Sequence, residues 1–154
     1  MILRGGDEGN YLMIDANYIV GLSDGEGCFY VVLTERDKTK HPRAHVHAKS
    51  HFYIKLREDD LTVLQEVKEH LEFGFIYYQK ENRKNHSPCY RFEVNSNSDK
   101  LRLIDFFTKY PLHSPKKIRD FEIFSRVTQM ILEKEHFTEE GRSKIRQLKA
   151  SMHH

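Results

Sequence analysis

The sequence holds no tryptophan, two cysteines and four prolines among its 154 residues. Two cysteines, Cys28 and Cys89, are too few for a disulfide scaffold or a four-cysteine zinc site, and they fit a reduced intracellular chain. No run approaches the ~18 consecutive apolar residues of a membrane-spanning helix. The opening stretch, Met1 to Gly9, lacks the positive segment followed by an apolar one that marks a secretory leader. It is also too acidic for a mitochondrial transit sequence. These absences predict an intracellular protein with no membrane partner. Charge of one sign is missing too: 25 Lys and Arg face 23 Asp and Glu, a formal net of +2. Where the charges sit therefore matters more than their sum.

What is present is a polar but foldable chain, 38% hydrophobic and 12% aromatic. That supports one compact domain over residues 11–150, with a tail at 1–10 and another at 151–154. Residues 1–28 carry one base, Arg4, against five acids, Asp7, Glu8, Asp15, Asp24 and Glu26. This leaves −4 locally and +6 for the remainder. An acidic centre in a basic frame suits a metal site facing a polyanion.

Residues 11–25 read as a helix, with Gly21 and Gly25 near its end. Glycine costs up to about 1 kcal/mol inside a helix, so close approach of a second helix is one reason for its presence and a simple helix stop is another. Residues 28–36 alternate as a strand, with Phe29, Val31 and Leu33 on one face. Residues 44–57 alternate more fully. Ala44, Val46, Ala48, Ser50, Phe52, Ile54 and Leu56 form a small or apolar face. His45, His47, Lys49, His51, Tyr53, Lys55 and Arg57 form an unbroken basic and aromatic one. A purely solvated face rarely omits acids over seven positions, so this pattern points to nucleic-acid contact.

A helix follows at 59–73, where Asp59 or Asp60 can cap it, then strands at 75–80 and 89–95. Helices are predicted at 101–110, from Ser114-Pro115 to about Glu135, and at 138–150. The helix from Pro115 has the stripe Ile118, Phe121, Phe124, Val127 and Ile131. The order α-β-β-α-β-β-α-α predicts an α+β fold, two hairpins in an antiparallel sheet with helices on one face and the other face open.

The segment Ile19-Val20-Gly21-Leu22-Ser23-Asp24-Gly25-Glu26-Gly27 resembles the LAGLIDADG motif of homing endonucleases. Phe52-x-Ile54 before Asp59-Asp60-Leu61, Phe73-Gly74, and Tyr110-Pro111-Leu112 before Lys116-Lys117 resemble later blocks of that family. The resemblance spans about residues 15–148. There is one motif copy and no internal repeat, and single-copy members of the family are homodimers whose motif helices pack at a two-fold axis. The resemblance therefore implies a dimer interface at Asn17, Val20, Gly21 and Asp24, with Asp24 holding the helix end or its partner helix.

By the same resemblance Glu26 is the catalytic metal ligand, helped by the backbone carbonyl of Gly25. Hard oxygen ligands suit Mg2+, or another divalent cation such as Mn2+ or Ca2+. Lys117, with Lys116 as the alternative, matches a basic residue near the scissile phosphate. Many members carry Asp where this chain has Glu26. A polar pocket residue of some members falls on Leu56, so its role is missing or moved to Lys55 or Arg57. The implied partner is double-stranded DNA at a long near-palindromic target, cut on both strands, with the gene in an intron or intein. DNA contacts are expected from Tyr30, Thr34, Arg36, Lys38, Lys49, His51, Tyr53, Lys55 and Arg57 on the first hairpin. Tyr77, Gln79, Arg83, Arg91 and Glu93 are expected from the second.

Two other readings compete. One is a relative that has lost cleavage and serves as an RNA maturase, with intron RNA as partner, or as a DNA-binding regulator. The other is an unrelated small RNA-binding domain, whose characteristic aromatic strand motif is not apparent here. The histidines His41, His45, His47 and His51 look like a zinc cluster in outline. No helix-borne pair or nearby cysteine completes one.

Overall fold

Asp15 accepts a hydrogen bond from the backbone N–H of Tyr18 at 2.8 Å and so caps the first helix, α1 (Ala16–Glu26). The computed structural model describes residues 13–35, 39–40 and 45–153. The predicted helical residues 11–12, the strand positions Arg36 and Ala44, and Lys38 and His41 lie outside that set.

After α1 come β1 (Gly27–Thr34), β2 (His47–Arg57), α2 (Leu61–Leu71), β3 (Phe75–Gln79) and β4 (Cys89–Val94). Then follow α3 (Asn97–Lys109), α4 (Pro115–Leu132) and α5 (Glu139–Ala150). The fold class is α+β, as the sequence predicts. One antiparallel sheet runs in the order β1-β2-β4-β3. The two hairpins therefore join through β2 and β4, and β3 becomes an edge.

Residue parity divides the sheet. Phe29, Val31, Ala48, Phe52, Ile54, Phe92 and Val94 are buried against the helices. Their outward neighbours are half-buried or exposed. Phe29 is the hub: its ring centroid lies 4.7 Å from that of Phe52 and 5.3 Å from that of Phe124 on α4. Burying each such ring contributes about 1.5–3 kcal/mol. One polar contact crosses this layer. The Thr128 hydroxyl donates to the Phe124 carbonyl at 2.7 Å, so Ser50 donates to Thr128, also at 2.7 Å.

Several local expectations shift. A 3-10 turn at Glu58–Asp60 precedes α2, and neither aspartate's side chain caps that helix. α3 begins four residues earlier than predicted, because Ser96 accepts from the Asp99 N–H at 3.2 Å. On α4 the buried stripe is Asp120, Ile123, Phe124, Val127 and Met130. Ile118 is exposed, and Phe121 and Ile131 are partly buried. The contact with the sheet and with α5 thus runs along a rotated face. The segment read as a C-terminal tail is docked: Met152 is buried in the core, and the His153 N–H donates to the buried Asp120 carboxylate at 3.1 Å.

Candidate active site and the outer face of the sheet

α1 ends at the sheet's edge, where Gly27 turns directly into β1 and donates its N–H to the Ser23 carbonyl. No side chain larger than hydrogen fits at that step: a Cβ on Gly27 would lie 2.6 Å from the Ser23 carbonyl oxygen and 3.1 Å from the Phe52 ring. One residue back, Glu26 is exposed, and its carboxylate has no hydrogen bond or ion pair among the described residues.

Asp24 locks this helix end to α4. Its carboxylate accepts the backbone N–H groups of His113 at 3.0 Å and Ser114 at 3.0 Å. Ser114 is the N-cap residue of α4 but makes no cap hydrogen bond itself. An aspartate from another helix thus supplies what the local sequence does not, and its charge opposes the positive end of the α4 dipole. One turn further along α4, the Lys117 ammonium donates to the Gly27 carbonyl, whereas Lys116 is exposed. Lys117 is thus tied to the residue that follows Glu26, although the two lie 91 positions apart in sequence.

Among the described residues no three His, Cys, Asp or Glu side chains converge as a ligand set. One chain offers a free carboxylate at Glu26 beside the last carbonyls of a helix, which lack intrahelical partners. That donor set consists of hard oxygens and fits a magnesium- or calcium-type cation as a partial site, needing oxygens from elsewhere to complete it.

The outer face carries most of the expected contact residues. Gly27 pairs with Ile54, and Lys55 pairs with Arg91 and Arg91 with Tyr77, so a basic and aromatic row lies beside the end of α1. Leu56 faces the other way, packed against the core, so no polar pocket residue stands there. In the next row Cys28 pairs with Tyr53 and Tyr53 with Glu93. The Arg91 guanidinium lies 3.8 Å from the Tyr53 ring centroid and its Nε 3.1 Å from Glu93. Burial pushes the Tyr30 and Tyr53 hydroxyls above their usual range.

Tyr30 stacks on His51 at 4.7 Å and 19°. His51 Nδ1 lies 2.9 Å from Asn95 Oδ1, and Asn95 Nδ2 donates to Glu93 at 3.0 Å. That second bond fixes which way the amide points, so Nδ1 of His51 carries the proton and Nε2 of the neutral ring is an acceptor. Burial lowers the His51 pKa, outweighing Asn95, which raises it. The sequence places Asn95 in the strand 89–95 without a site role; the structure puts it one residue past the end of β4, against His51.

The remaining expected contacts divide. Thr34, Lys49, Arg57 and Tyr77 are exposed, with Arg57 3.6 Å from Asp59. Arg83 is held by Glu81 at 2.7 Å, which depresses the Glu81 carboxyl to about 2. Gln79 is half-buried, and its Oε1 is buried without a hydrogen-bond partner among the described residues. Arg36 and Lys38 lie outside the described residues. Of the expected dimer contacts, Asn17 and Gly21 are exposed. Val20 is only 3% exposed and belongs to the chain's own core, and Asp24 is engaged with α4. A Cβ on Gly21 or Gly25 would meet nothing within 4 Å.

Asp24→Ala is expected to lower stability by about 1–3 kcal/mol in urea unfolding, because two amides and a helix end lose their acceptor. Asp24→Asn should recover part of that loss. His51 and His136 both have pKa values lowered from 6.5 by burial. The unfolded chain therefore binds protons more readily, and stability present above pH 6.5 is lost as pH falls below it. Thermal melts between pH 7.5 and 5 should show this decline, reduced in His51→Gln.

The profile of the LAGLIDADG endonuclease family matches residues 19–128, from the start of the motif to Thr128 on α4. A "Probable intron-encoded endonuclease 3" of Neurospora crassa is 31% identical over 133 residues, which is 86% of this chain and 23% of that protein. An "Uncharacterized 50.9 kDa protein in ND4 intron 1" of Podospora anserina is 30% identical over 81% of this chain and 26% of its own length. The chain thus spans about a quarter of the curated relatives it matches. Among solved structures, the homing endonuclease I-TnaI is 29% identical with a TM-score of 0.75, covering 93% of this chain and 90% of that one. The meganuclease I-AabMI, bound to uncleaved DNA, is 31% identical with a TM-score of 0.74, covering 90% of this chain and 45% of that one. The family profile covers most of the chain, and the chain belongs to the LAGLIDADG endonuclease family.

Proposed function

We propose that this chain is one half of a site-specific, divalent-metal-dependent DNA endonuclease that works as a homodimer on a long, near-palindromic duplex target. The observation that carries this reading is the Glu26 carboxylate, without a partner among the described residues at the end of α1, next in sequence to the Gly27 carbonyl that holds Lys117, at the edge of a basic and aromatic sheet face. A structural carboxylate at a helix C-terminus opposes the macrodipole and gains nothing there, whereas a metal ligand gains its cation.

The single motif leaves the second carboxylate to another copy. Gly21 and Gly25 favour that pairing, since the space above them is open and two helix backbones can approach across it. The chain covers 90% of I-TnaI and 45% of I-AabMI, which is bound to uncleaved DNA. Two Glu26 side chains would meet at the paired helix ends. When bound, the divalent cation supplies a polarised water and charge stabilisation for the leaving oxygen. Lys117, held in place by the Gly27 carbonyl, sets a positive charge where negative charge develops on the phosphoryl group. Arg91 and Lys55 in the adjoining row neutralise flanking phosphates.

Along the sheet, Tyr30 and Asn95 hold His51 with Nε2 free to accept. That suits an adenine or cytosine amino group in the major groove. The similarity to a probable intron-encoded endonuclease of Neurospora crassa and to a protein in an intron of Podospora anserina supports a gene carried within an intron.

Cleavage of a randomised duplex library, with magnesium and with EDTA, tests the reading. Wild type should cut at a near-palindromic site only with magnesium, and Glu26→Gln should bind that site without cutting. Binding by wild type without any cutting would favour a regulator or maturase instead. Gly21→Leu should fold as stably as wild type, having open space around it, yet scatter light as a monomer. A Gly21→Leu dimer would place the interface elsewhere.

A further inference from the structure

Lys100 is a charge that the catalytic reading leaves unused. It lies one turn into α3 and is only 4% exposed, and its ammonium makes no hydrogen bond or ion pair among the described residues. Its pKa is pushed below the ordinary lysine range, by burial first and by Lys49 second. An ammonium without an anion is unfavourable in such a place, and a hydrophobic side chain of the same length would pack there at lower cost.

The sheet explains where Lys100 stands. β4 stops at Val94, opposite Phe52, so residues 47–51 of β2 have only β1 as a neighbour. The chain turns through Asn95 and Ser96 into α3 at that gap. Asn95 at that turn lies against His51, 2.9 Å from its Nδ1, and the Lys100 N–H donates to the Ser96 carbonyl at 2.9 Å, so the first turn of α3 stands at the gap beside His51; the Lys100 and Lys49 charges repel one another there.

The nearby acids are occupied. Glu93 is engaged by Asn95 and Arg91, and Asp99 accepts the Gly74 N–H at 3.3 Å. The positive end of the α3 dipole adds to the same field. Lys49 itself is exposed on β2, four residues before Tyr53, which lies beside Cys28 near the end of α1. At the strand rise of ~3.3 Å per residue that is about 13 Å away from the candidate catalytic end.

We propose that Lys100, together with Lys49, forms a seat for a single phosphate of the duplex DNA backbone, where β4 leaves the sheet. The source of the phosphate rests on the endonuclease reading; the anion site itself does not. Its role is to set the register of the duplex on the sheet without reading a base. Lys100 escapes sequence inspection because it belongs to a helix and lies far from every outward strand position.

Lys100→Met tests this, since methionine keeps the aliphatic stem and removes the charge, with Lys144→Met on α5 as control. Two probes are used, random-sequence duplex DNA across a salt series and inorganic phosphate in thermal melts. Lys100→Met should bind DNA about tenfold more weakly at ~0.1 M salt, and its plot of log affinity against log salt should be shallower by about 0.9. Phosphate should raise the melting temperature of wild type and Lys144→Met but not of Lys100→Met, and Lys100→Arg should restore the response. An unchanged salt slope and phosphate response in Lys100→Met would overturn the proposal. So would a lowered melting temperature with both responses intact, which would mark Lys100 as structural. If wild type responds to phosphate through Lys100 yet does not bind duplex DNA, the anion site stands and the endonuclease reading fails.

Discussion

The carboxylate of Asp24 is the joint on which the site depends. It belongs to α1 but serves the first turn of α4, taking the amides of His113 and Ser114. Without it, the start of α4 has no side-chain cap, and Lys117 has no fixed distance from the end of α1. Two helices far apart in sequence are thus registered at the point where Glu26 and Lys117 must cooperate. Charge, helix dipole and hydrogen bonding act there in the same direction, so the joint is stiff as well as stable.

Around that joint, the two faces of α1 have opposite requirements. Ala16, Ile19, Val20 and Ser23 are buried against the chain's own core, and Gly27 closes the helix so tightly that a methyl group would collide with backbone. On the other side Gly21 and Gly25 have empty space above them. A helix interior that contains glycine is locally weaker than one containing alanine. The surrounding packing on Phe29 and Phe52 allows α1 to carry that weakness, and the exposed side remains flat.

Much of this was legible from residue order. The period-two alternation of β2 gave both its faces, because one strand with one buried face leaves no freedom of register. The element order and the position of Glu26 at a helix–strand junction were readable for the same local reasons. What the sequence could not display was anything made by distant partners. The resemblance gives Asp24 the helix end or a partner helix to hold, but residue order does not reveal that its partners are the amides of His113 and Ser114. The resemblance makes Val20 an interface residue, whereas the structure turns it into the chain's own core, and residue order alone does not say which side of the helix meets the sheet. The Ile118 stripe on α4 is rotated because Asp120 is held inside by His153, a contact between segments 33 residues apart. Asn95 reads as the last residue of a strand, and its role comes from Glu93 and His51 together.

The unequal strand lengths have a mechanical consequence. Near the end of α1 the sheet is four strands wide, from Cys28 through Tyr53 and Glu93 to Phe75. Beyond Phe52 it narrows to a two-stranded ribbon, Thr34 to Tyr30 against His47 to His51. Two-stranded ribbons twist more freely than wide sheets. Stiffness is therefore graded along the molecule, high where the carboxylate and lysine must hold their spacing and lower where the surface must follow the shape of a partner. Substitutions in the ribbon can alter the fit of that surface while leaving the geometry of the chemical end undisturbed, so the two properties are free to diverge independently over time.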